Sequence, residues 1–158
     1  MPDRVSKIIV PENIIPETIS FFQRQGQNNF EGRAYWVGCL NGTTAQITRI
    51  IIPEQIPKKT LWGVSVTVPQ QANIKVSREL KLGEYIVAKV HSHPGKAYNS
   101  DTDKANPFLR HSGSISIIVP NFGRFGMNQF YKCAVCRFEI NQWRDLSEME
   151  IKSLFLFD

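Results

Sequence analysis

The feature that most restricts the fold is a strand–turn–strand signature in the first third of the chain. Residues 33–40, Arg-Ala-Tyr-Trp-Val-Gly-Cys-Leu, are rich in aromatic and β-branched side chains and run into Asn41-Gly42. Residues 45–52 return as a partner segment. Asn-Gly tolerates the positive φ of a tight hairpin turn, so the spacing predicts an antiparallel pair. A lone hairpin is not stable in water and must bury one face against further strands or helices.

The rest of the chain supplies both. Residues 6–10 read as a short strand, and 16–25 as a helix with Pro16 at its start and Gly26 at its end. Residues 26–29 form a polar loop, and Pro53 and Pro57 stop the strand over 45–52. Residues 62–68 alternate with period two, as a half-buried strand does. Residues 71–80 suit either a helix or a loop. Residues 85–90 form a strand that leads into His91-Ser92-His93-Pro94. Residues 101–110 read as a helix disturbed by Pro107, 114–119 as an apolar strand, and 130–140 as a long strand, with Gly123 and Gly126 marking a loop. Ser147 and Glu150 have capping-box spacing and open a helix over 147–154. Strands and helices mix without strict alternation. The expectation is one α+β domain over residues 1–158, a mixed β-sheet flanked by helices.

Composition removes several function classes. The 158 residues are 42% hydrophobic, enough for a core without disulfides. The charge is +5, yet Lys and Arg are scattered and Lys58-Lys59 is the longest basic run. A nucleic-acid groove needs clustered cations with stacking aromatics, so no nucleic-acid partner is expected. No apolar run reaches the ~20 residues of a membrane span, and no signal peptide is visible, so no membrane partner is expected. Three cysteines, Cys39, Cys133 and Cys136, fit a reducing compartment, and the location is read as cytoplasmic. Cys133 and Cys136 have CxxC spacing without a second pair to complete a structural zinc site. In a strand they would point to opposite faces, as buried free thiols. Trp36, Trp62 and Trp143 read as core or interface anchors, and His111 as a surface residue.

The chemistry is concentrated in His91-Ser-His-Pro-Gly-Lys-Ala-Tyr-Asn-Ser100-Asp-Thr-Asp103. Histidines at i and i+2 of a strand project to one side and can reach one ion at 2.0–2.1 Å. Pro94 and Gly95 turn the chain, and Asp103 returns in the first turn of the next helix. Three protein ligands leave a coordination position open, the layout of a catalytic rather than structural zinc site. Zinc lowers the pKa of water in that position to about 7. Amide hydrolysis then needs an acid–base group and an oxyanion donor, and Ser100 is placed to be the donor. Ser100-x-x-Asp103 is also a helix-start pattern, and both readings hold together.

The string His-Ser-His-Pro, five residues, then Ser-x-x-Asp resembles the JAMM motif of the MPN/JAB metalloprotease family. The family's acid–base Glu opens an earlier strand of the form Glu-x-x-small-x-apolar-apolar-Gly, and Glu31-Gly-Arg-Ala34-Tyr-Trp36-Val37-Gly38 matches it with Ala34 at the small position. The resemblance covers most of residues 15–140. It implies a cytidine-deaminase-like α+β fold and one zinc ion on His91, His93 and Asp103. It further implies Glu31 as acid–base and Ser100 at the oxyanion. The implied activity is cleavage of isopeptide or peptide bonds after the C-terminus of a ubiquitin-like protein, by deconjugation or precursor processing. E1- or E2-like proteins are implied as further partners. A zinc deaminase would need Pro before the CxxC and a His-x-Glu upstream; Lys132 precedes Cys133 and no His-x-Glu occurs. The rival reading is a non-catalytic MPN-type scaffold, although such scaffolds lack parts of the metal set. The Pro-rich, polar segment 53–83 is the expected place for an extended substrate tail to add as a strand.

Overall fold

The computed structural model describes residues 2–124, 126 and 130–158. The strands are β1 (Lys7–Val10), β2 (Arg33–Asn41), β3 (Thr44–Ile51), β4 (Ile56–Thr60), β5 (Gly63–Thr67), β6 (Glu84–Ser92), β7 (Ile115–Val119), β8 (Ala134–Glu139), β9 (Gln142–Asp145) and β10 (Phe155–Phe157). The helices are α1 (Ile14–Gly26), α2 (Gln70–Glu79), α3 (Asp101–Ala105) and α4 (Glu148–Leu154). Eight strands form one mixed sheet in the order β10-β1-β3-β2-β6-β7-β8-β9, and β4 and β5 form a separate hairpin. The expected α+β architecture, a mixed sheet flanked by helices, is what the chain adopts, and it is consistent with an MPN/JAB-like fold.

Strand β2 explains why the sheet is covered on both faces. Its run Ala-Tyr-Trp-Val is buried without alternation, as a central strand with two packed faces requires. Ala34 and Trp36 join the larger core with Phe22, Ile47 and Val90, while Tyr35 and Val37 join a smaller one with Val76 of α2. The indole N–H of Trp36 donates to Thr18 Oγ1 of α1 at 3.0 Å, so the largest core side chain leaves no polar atom unsatisfied.

The last glycine of the Glu31–Gly38 segment has a steric reason. A Cβ on Gly38 would lie 2.1 Å from the backbone oxygen of Gln46, beside a bulge where β2 shifts register against β3. Backbone cannot retreat as a flexible side chain can. Gly38→Ala is therefore expected to destabilise the protein by about 3 kcal/mol, seen as a lower midpoint in urea unfolding. A midpoint within error of wild type would contradict the packing described.

Several boundaries differ from the sequence reading. Helix α1 begins at Ile14, with Pro16 inside the first turn, where no intrahelical N–H is needed. The β2–β3 turn is Gly42-Thr43 with Asn41 paired to Thr44, and Gly42 takes the positive φ of 63°. Residues 70–79 are a helix. Helix α3 ends at Ala105 rather than 110: Asn106, before Pro107, is extended at ψ 119° because the proline ring excludes the helical region there. The long strand over 130–140 is instead a turn at Phe130–Lys132 followed by β8. Strands β4, β9 and β10 were not foreseen. Pro57, read as a strand stop, lies inside β4, which pairs with β5 alone among the described residues and so tolerates a residue without an N–H. The loop expected around Gly126 includes residues 125 and 127–129, which lie outside those described. Ser147 and Glu150 do form the capping box of α4. Trp36 is core, Trp143 is half-buried, and Trp62 stands 95% exposed at the tip of the β4–β5 hairpin, so it is no core anchor. Cys133 and Cys136 are buried and free, as expected.

Candidate metal centre

Strand β6 lies in the middle of the sheet, with β2 antiparallel on one side and β7 parallel on the other. Its C-terminal end carries His91 and, one residue beyond Ser92, His93. The amide of His93 donates to the Val119 carbonyl at 2.9 Å, and its own carbonyl accepts from Phe122 N–H at 2.8 Å. The histidine is thereby held by backbone bonds on both sides. Asp103 arrives from α3, whose cap is a complete box: Ser100 Oγ accepts from Asp103 N–H, and Ser100 N–H donates to Asp103 Oδ2, both at 3.1 Å.

These elements bring three donor atoms together. His91 Nε2, His93 Nε2 and Asp103 Oδ2 lie 3.2 Å from one another on every side of a triangle. An ion bound tetrahedrally at 2.0–2.1 Å would place its donors about 3.3–3.4 Å apart, so the triangle already has nearly the size of one coordination face. All three residues are buried, and His91 Nδ1 is buried with no hydrogen-bond partner among the described residues. Burial holds the His91 imidazole neutral, its pKa lowered to about 4, as a nitrogen ligand requires. Burial also works against ionisation of Asp103, but hydrogen bonds from His91 and His93 outweigh it and hold the carboxyl far below its usual range. Two imidazoles and a carboxylate form a group that could hold a metal ion, and two of the three residues, His93 and Asp103, line an open cleft.

Glu31 reaches this centre through strand pairing. Arg33 pairs with His91 across β2 and β6. One step on, Ser92 N–H donates to the Gly32 carbonyl at 3.0 Å, and Gly32 N–H donates to Ser92 Oγ at 2.9 Å. The next step in the same antiparallel register sets Glu31 against His93, on the face that carries both histidines. Glu31 is 8% exposed, and burial pushes its carboxyl up to about 7, with His93 and Arg33 opposing the shift and Asp103 adding to it. Glu31, His93, Ser100 and Asp103 line one cleft of about 510 Å³ with Tyr98 and Trp62. His111, by contrast, is exposed and remote from these residues in the contacts it makes.

Two neighbours escaped the sequence reading. Arg33 is buried, its Nη2 3.4 Å from Asp103 Oδ1, so each oxygen of the aspartate has a separate task. Period-two spacing from Glu31 could have placed Arg33 on the same face, but not beside Asp103. Tyr98 stands edge-on to the His93 ring at 5.0 Å. A second groove of about 810 Å³ adjoins the cleft and shares Arg33, Val66 and Thr102 with it.

A mixed sheet with a His-His-Asp donor set at one strand end, facing a cleft, is the layout of a metal-dependent peptidase. The chain is 35% identical over 121 residues to the probable metalloprotease y4jG of Sinorhizobium fredii, spanning 76% of this chain and 75% of that protein. The chain belongs to that metalloprotease family. No family model matches the sequence. Among solved structures, the solution structure of protein DSY2949 from Desulfitobacterium hafniense superimposes with a TM-score of 0.65 at 16% identity, covering 96% of this chain and 92% of that one. That likeness shows a shared fold. Among the described residues no helix is long and apolar enough to cross a membrane.

Proposed function

We propose that the chain is a JAMM-type zinc metalloprotease that cleaves after the C-terminus of a ubiquitin-like protein. The observation that carries this reading is the 3.2 Å triangle of His91, His93 and Asp103 with a buried, proton-ready Glu31 set against it. Two imidazoles and one carboxylate suit zinc, which when bound would supply Lewis acidity and lower the pKa of water.

The residues of the chain then have distinct tasks. Glu31 takes the proton of the attacking water, and its pKa near neutrality lets it return that proton to the leaving amine. The Ser100 hydroxyl accepts from Asp103 N–H, which leaves its own proton free to be donated to the oxyanion of the tetrahedral intermediate. Arg33 holds the second oxygen of Asp103, so that Oδ2 alone faces the histidines. The substrate tail lies extended beside β5: residues 63–66 line the cleft, and β5 has β4 as its one partner among the described residues. The assignment of segment 53–83 to tail binding is thus supported by a hairpin whose free edge borders the centre. On this reading the enzyme works in the cytoplasm with E1- or E2-like partners, as the family resemblance implies.

The test is a panel of bacterial ubiquitin-like proteins, each offered as a linear C-terminal fusion and as a lysine isopeptide conjugate, with the cut site read by mass spectrometry. A cut after the terminal residue of one modifier is expected. Cleavage of the conjugate marks a deconjugating enzyme, and cleavage of the fusion alone marks a precursor-processing one. Equal cleavage of unrelated proteins such as casein, with no preference for a modifier terminus, would overturn the reading.

A further inference from the structure

A second cavity, of about 610 Å³, lies apart from the metal cleft and shares no lining residue with it. It is bounded by Lys104 and Arg110 on one side, by Phe138 and Trp143 of the β8–β9 hairpin on the other, and by Asn141 and Gln142 at the turn. No acidic side chain lines it. Beneath Trp143, the Lys89 ammonium sits 4.8 Å from the ring centroid, 3% exposed, donating to the Phe108 carbonyl at 3.0 Å. Among the described residues, Lys89, Lys104 and Arg110 have no carboxylate within ion-pair distance, whereas Arg144 of the β8–β9 hairpin is paired with both Glu139 and Glu150. The buried indole N–H of Trp143 has no acceptor among the described residues. The lining carries Lys104 and Arg110 and, among the described residues, no carboxylate, which is the chemistry that receives an anion.

The turn beside the cavity carries an exposed apolar residue, Ile140, next in the chain to the lining Asn141. Ile140 and Asn141 take φ of 49° and 60° at the hairpin tip, the backbone of a turn that favours Asn and Gly. A β-branched residue is strained there, and Ile140 is 92% exposed, so neither the turn nor the core accounts for it. A small free anion would have no use for an isoleucine beside the cavity; a peptide long enough to cross the turn would.

We infer that this cavity is a docking site for an acidic peptide segment of a protein partner, with carboxylates against Lys104 and Arg110 and an apolar residue against Ile140. The site stands independently of the metal centre and of any cleavage.

The test is isothermal titration of the full chain with the hexapeptide Glu-Glu-Leu-Glu-Glu-Glu, at low salt and at 0.5 M salt. Binding that weakens with salt is expected, at least tenfold weaker in K104E/R110E and at least threefold weaker in I140N, whose turn backbone suits asparagine and keeps the hairpin folded. The control K58E/K81E makes the same change of net charge on exposed residues away from the cavity and is expected to bind within twofold of wild type. Equal loss in both double variants would reduce the effect to net charge and overturn the site. Unchanged binding in I140N, with the hexapeptide displaced by millimolar inorganic phosphate, would make it a phosphate site and overturn the peptide assignment.

Discussion

Zinc added to metal-free protein is expected to bind at one ion per chain and to raise the thermal midpoint by about 6–10 °C at a hundredfold excess over Kd, the stabilisation of about 2.7 kcal/mol that mass action gives a domain of this size. His93→Ala should abolish the shift and the bound metal together. The reason is geometric. Three buried donors 3.2 Å apart form a site before any ion arrives, so little ordering opposes binding. Removing one leaves two ligands and an exposed cleft wall, and affinity should fall by at least 10³-fold. His93 is the better probe of the two histidines, because it lines the cleft whereas His91 is packed within the sheet at 1% exposure and its loss would also open a cavity. Elemental analysis and differential scanning fluorimetry measure both quantities. A wild-type protein that stays metal-free in excess zinc would sink the metal centre and favour the scaffold reading.

Glu31→Gln should keep the metal and lose turnover by a factor of about 10²–10⁴, the usual contribution of a positioned acid–base. The amide retains shape and burial but cannot cycle a proton. The same variant has an opposite effect on stability. Burial raises the Glu31 pKa from 4.5 to about 7 in the folded chain, so the native state binds a proton more tightly than the unfolded state does. The carboxyl's cost is absent below pH 4.5, grows as pH rises through 7, and is complete above it. Metal-free Glu31→Gln should therefore be more stable than wild type at pH 8, by about 1–3 kcal/mol after allowance for solvent screening, and no more stable at pH 4. Urea unfolding at the two pH values, beside single-turnover cleavage assays, separates the effects. Wild-type turnover in the variant would remove Glu31 from the mechanism, and an unchanged stability at pH 8 would contradict the burial that tunes it.

Much of the centre was legible because its determinants are local. Histidines two residues apart in a strand face one way whatever the strand packs against. Ser100 and Asp103 close a capping box within four residues of chain, and that box also presents the carboxylate. The β2–β3 hairpin and the cap of α4 are likewise short-range, set by a turn glycine and a Ser-x-x-Glu spacing. Glu31 was found through its resemblance to a family pattern rather than through any property of a single strand-start carboxylate.

The rest belongs to tertiary structure, because it depends on which strands pair and in what register. Pairing Arg33 with His91 brings Glu31 to the His91, His93 and Asp103 group, and a slip of one residue would turn it to the other face. The same register carries Arg33 to Asp103, seventy positions away, a contact that no periodicity encodes. Strand β10 exists because Phe155–Phe157 finds the edge of β1 after a chain reversal through α4. The cations at the second cavity come from β6, from α3 and from the segment after it, and become neighbours when the β8–β9 hairpin folds across them. Sequence alone determined which side chains could perform the chemistry, since side-chain type and local spacing need no partner. The fold decided which of them meet, since hydrogen-bond register and the burial of two sheet faces are properties of the whole chain.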